Sequence, residues 1–336
     1  MVVKQSDIDP ELRTAATLSR LLMRPALWYF RFIYWLGRRY KSATPDGVSL
    51  KELWIDRSDG AGKIRLCIYR PADAADDEAL PPVLYLHGGG YAVGNPEIAG
   101  KIIAGMIETK ACTVVAPDYR KSLEAPYPAA IDDCYQTLLW LDENRRQAYA
   151  NDDDIALIGH SAGGGLAIAV SLRARDRKSA KIAFQMPIYP MIDDRMNTPS
   201  SINNNAPVWN TKSNKLAWSL YLGDLVANPD TIPSDAAPAR AENVADLPPT
   251  ATHIGEHDPF LDETITFAQR LSDAAVPVKL MYAPGTFHSS ESLAPGAAIS
   301  QKANAFFFDT FSQGMERNFD TWVMQGSDYS EAKINA

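Results

Sequence analysis

Cysteine is scarce: the 336-residue chain carries three, Cys67, Cys112 and Cys134. They are too few and too scattered for a disulfide framework. Their neighbours are strand- and helix-forming, so they read as buried thiols of a reducing compartment. Basic charge is also in short supply. Lys and Arg number 33 against 41 Asp and Glu, for a formal net charge of −8. With no basic stripe either, a nucleic-acid partner is excluded. No uncharged apolar run reaches the roughly 20 residues that span a bilayer; the stretch 21–36 is interrupted by Arg24, Pro25 and Arg31. Met1 to Asp9 is polar and unlike a secretory leader. There is no Asn-x-Ser/Thr sequon, and Ile-Asn-Ala at the C-terminus is not a retention or peroxisomal address, so a cytoplasmic protein is expected.

What is present is an ordinary globular composition, 46% hydrophobic and 22% charged, sufficient for a substantial core. The first 45 or so residues read as helical and aromatic-rich, with Trp28, Tyr29, Phe30, Phe32, Tyr34 and Trp35. Arg24, Arg31, Arg38, Arg39 and Lys41 accompany them, which fits a helix on a membrane surface. Packing on the protein's own body is the commoner fate of such a segment and is the expectation taken here.

From Leu50 the rhythm turns to strands. The runs 52–57 and 63–70 flank Ser-Asp-Gly-Ala-Gly and read as a hairpin. Continuous apolar runs follow at 83–86, 113–116, 155–158, 182–189, 250–254 and 278–282. Helical patterns at 98–109, 129–144, 164–174, 263–275 and 297–311 alternate with them. This alternation predicts an α/β fold with a mostly parallel, eight-stranded sheet and right-handed crossovers. It breaks between about 190 and 245, a Pro-, Asn- and Ser-rich stretch with one helical island at 211–222, read as an insertion. After Gly314 the chain is polar and weakly patterned.

The chemistry centres on Gly159-His160-Ser161-Ala162-Gly163, between a strand and a small-residue helix. A serine on such a turn sits in a strained conformation that exposes its hydroxyl, and the glycines let strand and helix approach around it. The pattern needs a base, an orienting acid and donors for an oxyanion. Three histidines follow Ser161. His253 lies inside a strand and His257 directly precedes Asp258, whereas His288 stands in a loop beyond the last strand, suited to the general base. Asp258 occupies the loop after strand 250–254. Its rivals are Glu256, less well placed, and Asp262, which with Glu263 reads as an acidic pair at a helix N-terminus. His87-Gly88-Gly89-Gly90 after the third strand suits backbone donors, because side chains there would block a close approach. Gly88, Gly89 and Ala162 N–H groups are the expected oxyanion hole, each donor worth about 3–4 kcal/mol in the transition state. A phosphate cradle would need a following Lys-Ser/Thr, which Tyr91-Ala92-Val93 lacks. His253-x-x-x-His257 has metal-pair spacing, but on a strand running into a turn and with no third ligand, so no metal and no cofactor are expected.

Taken in order, HGGGYAVG (87–94), DYRKSLEAPYPAAIDD (118–133), GHSAGG (159–164), HDPFLDE (257–263) and GTFH (285–288) resemble the hormone-sensitive-lipase family of α/β-hydrolases, over about 82–311. The resemblance implies carboxylic-ester hydrolysis, with hydrophobic esters of short to medium acyl chain as the expected substrates, Ser161 as nucleophile, Asp258 and His288 completing a triad, and Gly88, Gly89 and Ala162 as oxyanion donors. It implies a catalytic core at 46–190 and 246–314, covered by a helical cap from 1–45 and 191–245, with 315–336 as a tail. Trp28, Phe32, Trp35, Tyr91 and Trp209 are then expected to bind substrate. A homodimer through the last strand and helix is implied as well. The same triad would serve a lactone, aryl-amide or carbamate, and a non-catalytic binding protein on this scaffold would have to lack a triad member. Departures from the family pattern are His160 before the nucleophile, Lys121-Ser122-Leu123 in place of Leu-Ala-Pro, and Ser289-Ser290 after His288. His160 is expected to point away from the reacting groups.

Overall fold

The computed structural model describes residues 1–39 and 41–324. In chain order the elements are α1 (Arg13–Leu22), α2 (Leu27–Gly37), β1 (Val48–Asp56), β2 (Lys63–Pro71), β3 (Pro82–Leu86), α3 (Gly100–Thr109), β4 (Thr113–Asp118), α4 (Ala129–Glu143), β5 (Ile155–His160) and α5 (Ala162–Arg177). Then follow β6 (Ile182–Ile188), α6 (Thr211–Leu222), β7 (Thr250–Gly255), α7 (Leu261–Asp273), β8 (Val278–Ala283), α8 (Ser290–Leu293) and α9 (Ala298–Met315). The eight strands form one sheet in the order β1-β2-β4-β3-β5-β6-β7-β8. The β1–β2 and β2–β4 pairings are antiparallel, and every later pairing is parallel. The hairpin registers Asp56 opposite Lys63 across the predicted Gly-containing turn.

The continuous apolar runs are explained by burial on both faces. All five residues of β3 are buried, as are Ile155 to Gly159 of β5. Helix α5 is buried without interruption from Ala162 to Ala174, and its Gly and Ala residues allow it to lie close over the sheet. The parallel strands β3, β5, β6, β7 and β8 all deliver their C-terminal ends to one edge, where ligand sites form in open α/β sheets.

Two expectations are revised. The N-terminal region is not one helical segment: α1 and α2 are separated at Met23–Ala26, where Pro25 interrupts the pattern. Residues 1–9 are instead a non-helical lace that leads into a 3-10 turn at Pro10–Leu12. Asp9 N–H donates to the Gly285 carbonyl at 3.0 Å, and Val3 N–H donates to Asn205 Oδ1 at 2.6 Å. Val3, Ile8 and Leu12 bury themselves against Ala206, Phe287 and Ala297. The chain after Gly314, polar and weakly patterned in sequence, packs onto the core over its described residues. Trp322 is buried edge-on against Phe184, ring centroids 6.1 Å apart, and its carbonyl accepts from Val278 N–H at the start of β8. Residues 325–336 lie outside the described residues.

Candidate active site

Ser161 stands between β5 and α5 with φ 56° and ψ −121°. A left-handed φ on a non-glycine residue is costly and persists only where surrounding structure enforces it. The enforcement is visible. Ser161 N–H donates to the Ile188 carbonyl at 2.9 Å, and its own carbonyl accepts from Gly165 and Met191 N–H. The flanking glycines are sterically required. A Cβ at Gly159 would lie 2.1 Å from the Gly163 carbonyl oxygen, and one at Gly163 would lie 2.0 Å from that of Leu86.

His288 and Asp258 meet the serine from the β8 and β7 ends. His288 Nε2 lies 2.9 Å from Ser161 Oγ, and its Nδ1 lies 2.6 Å from Asp258 Oδ2. A carboxylate can only accept, so Nδ1 carries the proton and Nε2 offers its lone pair to the serine hydroxyl. Phe260 N–H donates to Asp258 Oδ1 at 3.0 Å and fixes the carboxylate. All three residues are buried. The rival acids are engaged elsewhere: Glu256 accepts from Gly285 N–H at 2.7 Å and Asp262 from Ser200 N–H at 2.7 Å. Glu263, buried beside it, accepts from Ile192 N–H at 2.9 Å, and burial raises its pKa well above the usual carboxyl range.

The other histidines are also accounted for. His257 Nε2 pairs with the Asp7 carbonyl at 2.8 Å, so the N-terminal lace is tied to the loop that carries Asp258. His253 packs edge-on against Tyr189, ring centroids 5.1 Å apart. His160 turns away from the reacting groups. Its Nδ1 lies 3.0 Å from Tyr85 Oη, its ring packs by Tyr189 and Phe307, and desolvation lowers its pKa to about 3.

Gly88 lies against the nucleophile: a Cβ there would be 3.3 Å from Ser161 Cβ and 3.0 Å from the His160 carbonyl. Gly89 has φ +123°, with no room for a Cβ beside the Val93 carbonyl. Among the described residues neither Gly88 nor Gly89 N–H has an acceptor within the protein. Ala162 is the first residue of α5, where an amide has no partner inside the helix. Below this loop His87 Nδ1–H donates to the Gly88 carbonyl at 2.7 Å, and Tyr119 Oη–H donates to the His87 carbonyl at 2.7 Å. Lys121 Nζ sits over the Tyr119 ring at 4.3 Å and bonds Asp118 at 3.0 Å. Desolvation opposes ionisation of Asp118, yet Lys121 and Arg65 hold its pKa down at about 2.

The expected substrate residues divide. Trp209 stands over the site, its ring 6.2 Å from that of His288. Tyr91 does not line it: the side chain is buried, its hydroxyl donates to the Met191 carbonyl at 2.7 Å, and its ring stacks on Tyr221 at 4.0 Å. With φ 58° the backbone at Tyr91 turns under the glycine loop, so this residue ties the loop to Tyr221 of α6. Trp28, Phe32 and Trp35 are 64%, 50% and 49% exposed, so they do not cover the site. Phe30 is the buried residue of α2, stacked on Trp209 at 6.1 Å. Helical geometry decides this, since positions 28, 32 and 35 share one stripe and position 30 faces elsewhere. Phe260, edge-on to His288 at 5.3 Å, and Tyr119 are further contributors that the sequence did not single out.

A strand–serine–helix turn beneath free backbone amides, on a sheet of this order, defines an α/β-hydrolase. A family model described as alpha/beta hydrolase fold matches residues 83–291. The chain is similar to esterase LipI of Mycobacterium tuberculosis, 36% identical over 230 residues, 68% of this chain and 71% of LipI. It is similar to carboxylesterase NlhH of the same organism, 32% identical over 234 residues, 68% of this chain and 72% of NlhH. The solved structure of a bacterial heroin esterase superposes with TM-score 0.85 at 32% identity, covering 93% of this chain and 99% of that one. The chain therefore belongs to the α/β-hydrolase family, as a hormone-sensitive-lipase-like esterase.

Proposed function

We propose that the protein hydrolyses hydrophobic carboxylic esters of short to medium acyl chain through an acyl-enzyme on Ser161. The observation that carries this reading is the relay Ser161 Oγ–His288 Nε2–Asp258, at 2.9 and 2.6 Å, beside the unpaired Gly88 and Gly89 amides. Ser161 Oγ attacks the ester carbonyl carbon while His288 Nε2 takes the hydroxyl proton. The carbonyl oxygen becomes an oxyanion that accepts from Gly88, Gly89 and Ala162 N–H. Collapse breaks the C–O bond to the alcohol, which leaves with the proton from His288. Water then attacks the acyl carbon, His288 again acting as base, and the acid departs with Ser161 restored. The buried Asp258 carboxylate holds the productive tautomer and balances the imidazolium.

Trp209 over His288, backed by Phe30, gives the approach an aromatic wall, which supports a preference for apolar esters. Lactones, aryl amides and carbamates are the alternative substrates for the same steps. The test is a series of p-nitrophenyl esters of increasing chain length, run beside lactone and anilide substrates, on wild type and Ser161→Ala. Esters should turn over fastest, with activity lost in the alanine variant. Retention of wild-type turnover by Ser161→Ala would remove the serine mechanism, and faster lactone or anilide cleavage would reassign the substrate class.

A further inference from the structure

We infer that the outer face of α2 is a docking surface for membranes rich in anionic phospholipid. Two independent features meet there. The first is an unpartnered aromatic stripe. Trp28, Phe32 and Trp35 lie four and three residues apart, on one side of the helix, and all three are exposed. Phe32 and Trp35 stack on each other at 6.2 Å rather than on the protein body. Exposed aromatic clusters of this kind mark interaction sites, and indole rings favour the membrane interface.

The second feature is charge. Between Glu11 and Asp46 the chain has six arginines and one lysine and no acidic residue, in a protein whose net charge is −8. Arg13 and Arg20 are turned inward onto main-chain carbonyls, and Arg38 and Lys41 are paired with Glu124 and Glu52. Arg24, Arg31 and Arg39 are exposed and have no carboxylate partner among the described residues. Arg39 follows Trp35 by four residues and its guanidinium sits 4.4 Å over that ring, Arg31 lies within α2 beside the stripe, and Arg24 stands in the link before α2, its Nη1 donating to the Arg20 carbonyl at 3.1 Å. Aromatics that enter the interface, flanked by arginines that meet phosphate oxygens, are the chemistry of a peripheral anionic-membrane contact. No helix among the described residues is long and apolar enough to cross a membrane, so the contact lies on the surface. The opposite side of α2 carries Phe30 onto Trp209, so the docked helix would hold the site's aromatic approach next to the lipid.

The test uses full-length protein and vesicles, independently of ester turnover. Wild type is sedimented with vesicles of equal parts phosphatidylglycerol and phosphatidylcholine, and with phosphatidylcholine alone, at low salt and at about 0.5 M salt, where surface attraction is screened. Binding is expected to the anionic vesicles only and to weaken with salt, with a blue shift of tryptophan emission. Arg24→Gln/Arg31→Gln/Arg39→Gln should lower the partition coefficient roughly 100-fold. Trp28→Ser/Phe32→Ser/Trp35→Ser should lower it by at least about tenfold. Thermal melts establish that both variants are folded. No binding by folded wild type, or binding by both folded variants equal to that of wild type, would overturn the inference. So would a wild-type dimer that the aromatic variant converts to monomer without any vesicle binding, which would assign the face to a second copy of the chain.

Discussion

His87 and Tyr119 stack with ring centroids 4.2 Å apart and 12° between their planes, and the Tyr119 hydroxyl donates to the His87 carbonyl. The pair lies directly under Gly88, whose own carbonyl is held by His87 Nδ1–H. The backbone amides proposed to stabilise the oxyanion therefore rest on a fully buried phenol.

Tyr119→Phe keeps the stack and removes one hydrogen bond, worth about 0.5–1.5 kcal/mol net. We expect kcat on p-nitrophenyl butyrate to fall roughly 2- to 12-fold with KM nearly unchanged, because the loosened amides matter most when charge develops. Steady-state kinetics of the two proteins decide it. A rise in KM at constant kcat would place Tyr119 in ground-state binding instead.

The same buried imidazole predicts a pH dependence of stability. Desolvation, reinforced by Lys121, depresses the His87 pKa from 6.5 to about 3. A histidine depressed in the folded state is protonated first in the unfolded chain. Its contribution is thus intact above pH 6.5 and is lost progressively as pH falls toward 3. From pH 7 to pH 5 this single group removes about 2 kcal/mol. Urea melts at both values should show His87→Gln losing less stability than wild type by about that amount. Identical losses would mean that His87 titrates normally in the folded protein.

Asp258 and Asp262 are four residues apart, but only Asp258 reaches His288; Asp262 accepts from Ser200 N–H. Asp258→Asn leaves the imidazole in the wrong tautomer and should lower kcat by about 10⁴. Asp262→Asn weakens a loop contact and should cost less than about tenfold. A reversed ranking in kcat would move the orienting acid.

Much of the fold was legible because its strands are short apolar runs punctuated by glycine, and doubly buried strands impose that pattern. The order of Ser161, Asp258 and His288 was legible too, since each follows a strand at the sheet's carboxyl edge. The inward face of α2 was not. Aromatics at 28, 29, 30, 32, 34 and 35 surround that helix, so periodicity does not mark a buried side. Only the stack of Phe30 on Trp209 does. Tyr91 was expected to bind substrate, but its positive φ sends the ring down onto Tyr221. Trp322 was missed because a single aromatic in a polar stretch gives no period, although it caps the core beside Phe184.

The most direct measurement is a rapid quench of the reaction with p-nitrophenyl acetate, followed by mass spectrometry of the peptides. A burst of p-nitrophenol of about one equivalent per chain is expected, with an acetyl group on Ser161 that is absent from Ser161→Ala. A turning-over enzyme with no acyl adduct, or with the adduct on another residue, would contradict the assignment of Ser161 as nucleophile.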